Sequence, residues 1–241
     1  MNQESGYKNM GKNQKTTCIL TIILGMMITL VRVVMPMHFE ITTNIVILET
    51  ILELSIGIAV VWLNRKALKE AFKRKFTKKD CEDIVKYWAI VYIAVIIFLL
   101  VASFTYQSIT GQSFNEVTSG APAAFVGEEF KKIFPIGVIM TMCITAPIVE
   151  EIVFRMTFKN VIKNNILFIL ISSLLFGFIH TANFFTLGII EYFFCGCLFA
   201  AIYLKTKDIR ITIGTHMLYN IMLFVFPLLS GLFSWIIAKL T

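Results

Sequence analysis

Charge is scarce in this chain. Only 15% of its 241 residues are Asp, Glu, Lys or Arg, whereas 57% are hydrophobic and the mean hydropathy is +0.79. A soluble domain carries about 25% charged and about 45–50% apolar residues, so a water-soluble globule is excluded, and so is a disordered chain. With 5 prolines and 13 glycines there is too little of either for a collagen-like or low-complexity segment. The 5 cysteines are odd in number, and Cys18, Cys143, Cys195 and Cys197 lie in apolar stretches. They read as small buried side chains, not as a disulfide framework. Residues 1–15 are polar and carry Lys8, Lys12 and Lys15, yet no A-x-A cleavage pattern follows Met37, so the first apolar stretch reads as a retained helix. No internal repeat and no separate soluble domain is visible. What is present is the signature of a polytopic membrane protein.

A helical crossing takes about 20 mostly apolar residues. The sequence predicts about eight of them, at residues 16–37, 41–63, 84–106, 133–158, 166–180, 184–204, 211–226 and 228–240. The last two are short and separated by Pro227, so one kinked helix is the alternative. The fold class expected is all-α. The chain divides into a cytoplasmic tail (1–15), three helices with a basic cytoplasmic loop and an outer loop (16–130), and a helical core (131–241). Nine basic residues (Arg65, Lys66, Lys69, Lys73, Arg74, Lys75, Lys78, Lys79 and Lys86) follow the second span. With both termini inside, these and almost all other Lys and Arg fall on the cytoplasmic face, leaving Lys131 and Lys132 outside. Topology and anionic lipid then account for the net charge of +7 without a nucleic-acid partner. Residues 107–130 become the long outer loop.

An ionisable group inside a bilayer is costly, and each is a functional-site candidate. The second span holds Glu49 and Glu53, the fourth Glu150, Glu151 and Arg155, the fifth His180, the sixth Glu191, and the seventh His216 and Asn220. Arg155 follows Glu151 by four residues, which puts the two on one helix face. One carboxylate is then held by the guanidinium while its neighbour, about 100° around the helix, is free for another role, and unlike environments give two carboxyls unlike proton affinities. Charges solvated at a helix end are the bland alternative, which describes Glu128-Glu129 in the outer loop. Glu150 lies fifteen residues before Asn165 and His180 fifteen after it. In an antiparallel hairpin turning at Lys163-Asn164-Asn165, both reach about 22 Å above the turn, at about 1.5 Å per residue. His216 and Asn220 share a helix face, where both can donate hydrogen bonds to a developing oxyanion or make an ordinary interhelical contact worth about 0.6–2 kcal/mol.

The order Glu150-Glu151-Ile152-Val153-Phe154-Arg155, then Phe176-Gly177-Phe178-Ile179-His180, then His216-Met217-Leu218-Tyr219-Asn220 resembles the CAAX prenyl protease and bacteriocin-processing (CPBP, or Abi) family of intramembrane proteases. The resemblance covers residues 133–226, and Pro147 before the Glu pair is also similar to the family. It implies an eight-helix endopeptidase with an intramembrane catalytic cavity. Carried over, Glu150 and His180 activate a water, His216 and Asn220 hold the oxyanion, and Glu151, Arg155 and Phe176 support them. The family's metalloprotease label implies a divalent metal such as zinc. The chain has no His-Glu-x-x-His, and no metal is assigned. The implied partners are the bilayer and a peptide or membrane-protein substrate, in a bacterial cell membrane, with peptide pheromone or bacteriocin maturation or self-immunity as the roles. The competing readings are a non-catalytic immunity or scaffold protein, and a transporter using Glu49, Glu53 and Glu191. The absence of repeated halves counts against the transporter.

Overall fold

The computed structural model describes residues 11–38, 43–114, 137, 140–181 and 187–240. Its elements are α1 (Lys12–His38), α2 (Thr43–Leu63), α3 (Arg65–Ala71), α4 (Lys78–Thr110), α5 (residues 140–161), α6 (Asn165–Thr181), α7 (Gly188–Thr206) and α8 (Ile209–Leu240), with no strand among the described residues. Their boundaries follow from local chemistry. Thr77 and Asp80 form a capping box at the start of α4, in which each side chain accepts the other's backbone N–H. Asn164 Oδ1 accepts from the N–H groups of Ile166 and Leu167 and so starts α6.

The two short crossings expected over 211–226 and 228–240 are one helix, Ile209–Leu240, with Pro227 inside it. A proline removes one ladder hydrogen bond, but surrounding helices can re-satisfy the freed carbonyl in an apolar setting. At about 1.5 Å per residue this helix is about 48 Å long, which exceeds the roughly 30 Å hydrocarbon core. The described residues thus hold seven long helical segments and the short α3. Helix α4 also exceeds its expected span at both ends and takes up Gln107–Thr110 of the expected outer loop. The rest of that loop beyond Phe114, with Glu128, Glu129, Lys131 and Lys132, lies outside the described residues, as do residues 1–10 of the tail.

Among the described residues three helices, Asn44–Leu63, Lys78–Thr110 and Gly188–Thr206, are long and apolar enough to cross a membrane, and Asn165–Thr181 is apolar but shorter. Large apolar side chains point outward from them, including Ile58, Leu100, Phe104, Ile109 and Ile166. Such a coat would be a liability in water and is ordinary in lipid. The middle of the bundle is α5. Residues 151–158 are all buried, and α1, α2, α6, α7 and α8 pack around this segment. Helix α1 approaches closely because Gly25 has no side chain: a Cβ there would lie 2.6 Å from Val153. The Asn64 amide, at the end of α2, donates to Thr21 of α1 at 2.8 Å and ties the first two helices together.

Candidate active site

Helix α5 is irregular where the site lies. Two wide π-helical turns, Met140–Thr145 and Ile152–Thr157, flank an α-helical turn, Ala146–Glu151, that opens with Pro147. Wide turns of this kind change which residues face a neighbour and occur often at functional sites. The middle turn ends in the two glutamates. Glu150 is 6% exposed, and Glu151 and Arg155 are not exposed at all. The expected pairing is present, with Arg155 Nε 3.2 Å from Glu151 Oε2. The guanidinium also lies over the Phe176 ring, 5.0 Å from its centre. Its Nη1 and Nη2 find no hydrogen-bond partner among the described residues.

Two histidines close on Glu150 from different helices. His180 Nδ1 is 2.8 Å from the carbonyl of Phe176. A carbonyl only accepts, so Nδ1 carries the hydrogen, and Nε2 of the neutral ring offers a lone pair. That Nε2 is 3.9 Å from Glu150 Oε2. His216 follows the same plan, with Nδ1 donating to Glu151 Oε1 at 2.9 Å and Nε2 3.8 Å from the same Glu150 oxygen. Glu150 therefore sits between two imidazoles whose outer nitrogens are each fixed by a hydrogen bond. The gaps of 3.8 and 3.9 Å are too long for direct hydrogen bonds. They are the separations at which a shared water is to be sought.

Asn220 is fastened to α5: its Nδ2 donates to the backbone carbonyl of Met142 at 2.8 Å, within the first wide turn. The amide ties α8 to that turn one helical turn beyond His216. Of the remaining intramembrane carboxylates, Glu49 and Glu53 are buried on α2, while Glu191 lies in the first turn of α7. A small cavity beside Glu150 is otherwise apolar, lined by Gly25, Ile28, Val149, Val153, Phe154 and Ile179.

Two residues that carry no family motif also touch the site. Tyr192 stacks on His180 with ring centres 4.5 Å apart at 18°, and Phe199 stacks on His216 at 4.4 Å and 24°. Both are on α7. Their i,i+7 spacing was readable in the sequence, but an aromatic pair at that spacing is indistinguishable from ordinary core.

Glu150, His180 and His216 supply the donor types of a zinc site. Two ligands of one tetrahedral zinc lie about 3.4 Å apart, given bonds of about 2.0–2.1 Å. The distances here are longer, and among the described residues no group of three His, Cys, Asp or Glu is arranged to hold a metal ion. The side chains as placed do not fit the metal that the family label implies, and no step below is routed through one.

Residues 132–222 match the family model described as type II CAAX prenyl endopeptidase Rce1-like. Over 201 residues the chain is 28% identical to a protein of Staphylococcus aureus (strain USA300) named membrane-embedded CAAX protease MroQ, a match that covers 79% of this chain and 77% of that protein. No solved structure matches the chain.

Proposed function

We propose that the chain is a member of the CAAX protease and bacteriocin-processing family, as its likeness to the Rce1-like family model and to a membrane-embedded CAAX protease supports, and that it hydrolyses a peptide bond in a membrane-associated peptide or small protein, using a water activated by Glu150 and His180. One observation carries this reading: Glu150 Oε2 and His180 Nε2, both hydrogen-bond acceptors, lie 3.9 Å apart. Two acceptors at that separation call for a donor between them, and a water that donates to both is polarised at its oxygen. The carboxylate takes the proton as the oxygen attacks the scissile carbonyl, and returns it to the amide nitrogen as the C–N bond breaks and the amine leaves. His180 stays in one tautomer throughout because the Phe176 carbonyl holds its Nδ1 hydrogen.

His216 is the proposed donor to the tetrahedral oxyanion. As the imidazolium, with Nδ1–H on Glu151, it presents Nε2–H beside Glu150. The buried set Glu150, Glu151, Arg155 and His216 then sums to zero charge, which avoids the cost of a net charge in an apolar core. Asn220 keeps a second N–H beyond the one that bonds Met142, and that hydrogen is its proposed contribution. Donors aimed at a developing oxyanion are worth about 10²–10³ in rate each.

The proposed substrates are short peptides of the pheromone or bacteriocin kind, rather than prenylated proteins, in a bacterial cell membrane. The proposed orientation puts the N-terminus and residues 65–79 in the cytoplasm, on the strength of their Lys and Arg. Cysteine labelling settles this directly: Lys75→Cys should react only after the membrane is permeabilised, and labelling from the outer face would refute it. The catalytic reading is tested by reconstituting the protein in liposomes with a library of membrane-anchored peptides and reading the cuts by mass spectrometry. Wild type should release defined fragments, and His180→Gln should release none. Cleavage by neither, with the native biological role retained by both, would favour the non-catalytic immunity or scaffold reading.

A further inference from the structure

The hydrolytic scheme needs two imidazoles held in fixed orientations, and neither is held by its hydrogen bond alone. One bond to Nδ1 fixes a single atom and leaves the ring free to swing about it. What limits the swing lies on α7. Tyr192 lies nearly parallel to His180, at 4.5 Å and 18°, and Phe199 nearly parallel to His216, at 4.4 Å and 24°. These are the spacings of stacked rings. The aromatic residues are seven apart, two helical turns on one face, and so about 10 Å apart along the axis. The Phe176 ring also lies 4.5 Å from His180, tilted by 41°.

Helix α7 is also fixed against α6, which carries His180. A Cβ added at Gly196 would lie 2.9 Å from Ser173, and one at Gly177 would lie 2.9 Å from Ile189, so the two backbones are in direct contact at two levels. The ring on α7 is therefore set relative to the histidine on α6 by backbone packing and not by a flexible side-chain contact. Phe199 is fully buried, and Tyr219 meets it edge-on at 6.2 Å, which closes the space beside the second stack.

We propose that Tyr192 and Phe199 are positioning residues, two aromatic plates on one helix face that hold the planes of His180 and His216. This rests on the hydrolytic reading above, but its first test does not. The chain has 3 histidines, so nitrogen NMR of the histidine-labelled full-length protein in bilayers resolves each ring. In wild type, His180 should be protonated at Nδ1 alone and His216 at both nitrogens. In Tyr192→Leu, His180 should populate both tautomers while His216 is unchanged. In Phe199→Leu, the His216 Nδ1 resonance should shift as its bond to Glu151 loosens, while His180 is unchanged.

The second test uses a peptide recovered from the cleavage screen. Tyr192→Leu should lower kcat about 10–100-fold, a loss typical of a small misplacement, with KM unchanged. Tyr192→Phe keeps the plate and should keep both the resonance and the rate. Wild-type tautomers and kcat in Tyr192→Leu would overturn the proposal, as would equal losses in Tyr192→Phe. If Tyr192→Leu and Tyr192→Met both fail to accumulate while Tyr192→Phe does, the role is packing and the proposal also fails. A fully active Glu150→Gln would instead sink the hydrolytic reading and leave the NMR result standing.

Discussion

Two ionic clusters of similar make-up sit in different parts of this molecule and are built in opposite ways. At the end of the bundle that carries the basic loop, Arg74 and Arg210 meet Asp80 and Asp208. Arg74 makes paired bonds to Asp80 at 3.0 and 2.7 Å and a third to Asp208 at 2.9 Å. Arg210 grips Asp208 at 2.9 and 2.6 Å and donates to the Arg74 carbonyl at 2.7 Å. The Arg74–Asp80 and Arg210–Asp208 pairs are bidentate and short, the arrangement that charged hydrogen bonds favour. Inside the bundle, His216 donates to Glu151 at 2.9 Å, Arg155 lies 3.2 Å from Glu151, and His216 and His180 lie 3.8 and 3.9 Å from Glu150. The first cluster opens to solvent at the half-exposed Arg74, is well bonded and joins the basic loop to the start of α8. The second is dry, loosely bonded and aimed at one carboxylate oxygen. A cluster that only fastens helices optimises its bonds, whereas one that must exchange protons keeps room for a water.

The largest expected difference between the clusters is in catalysis. His180→Gln should lower cleavage by about 10²–10⁴-fold, the usual contribution of a positioned acid or base, without reducing the amount of protein in the membrane. Asp208→Asn should leave cleavage per molecule unchanged. Comparing the two by cleavage rate and immunoblot breaks the comparison if Asp208 matters to the rate and His180 does not.

The next difference is in stability. Arg155→Met removes one of the two cations beside Glu151 and leaves the buried set with a net negative charge, and breaking a buried pair costs about 3–5 kcal/mol. Accumulation in the membrane should fall sharply. Adding Glu151→Gln should recover most of it, because removing both charges is close to neutral. Failure of the double variant to recover would mean that Glu151 has a structural role beyond this pair.

The smallest effect belongs to the outer cluster and depends on pH and salt. Burial pushes the Asp208 carboxyl up, but hydrogen bonds from Arg210 and Arg74 outweigh it and hold the group below the usual carboxylate range. A carboxyl lowered in the folded state contributes stability above its unfolded value of about 3.9, and that contribution is lost as pH falls through the folded value. Melting temperatures of wild type and Asp208→Asn should therefore differ at neutral pH and converge below about pH 4. High salt should narrow the same gap, since exposed charges are screened. It should leave the Arg155→Met defect unchanged.

How much of this was legible in the sequence depended on how rare the residue type is in its setting. Glu150, Glu151, Arg155, His180 and His216 stood out because lipid makes each one expensive, and the equal spacing of Glu150 and His180 from Asn165 set them at one depth. The continuity of α8 was not legible, because Pro227 carries the same local signal whether the helix ends there or bends through it. Nor was the Met142 partner of Asn220, since a backbone carbonyl has no letter in the sequence. The wide turns of α5 left no trace beyond Pro147. Asp80 and Asp208 lie in the polar segments next to the helices, where a charged residue is ordinary, so their mutual link through Arg74 was invisible.

The central claim is that Glu150 takes a proton from water. The direct measurement is cleavage by Glu150→Gln, purified, reconstituted at the wild-type protein level and assayed on a membrane-anchored peptide that wild type cuts. The amide keeps the size of the carboxylate but has no base to offer. The account predicts a loss of about 10²–10⁴-fold in a protein that accumulates and melts like wild type, and a Glu150→Gln variant that cuts at the wild-type rate would contradict it.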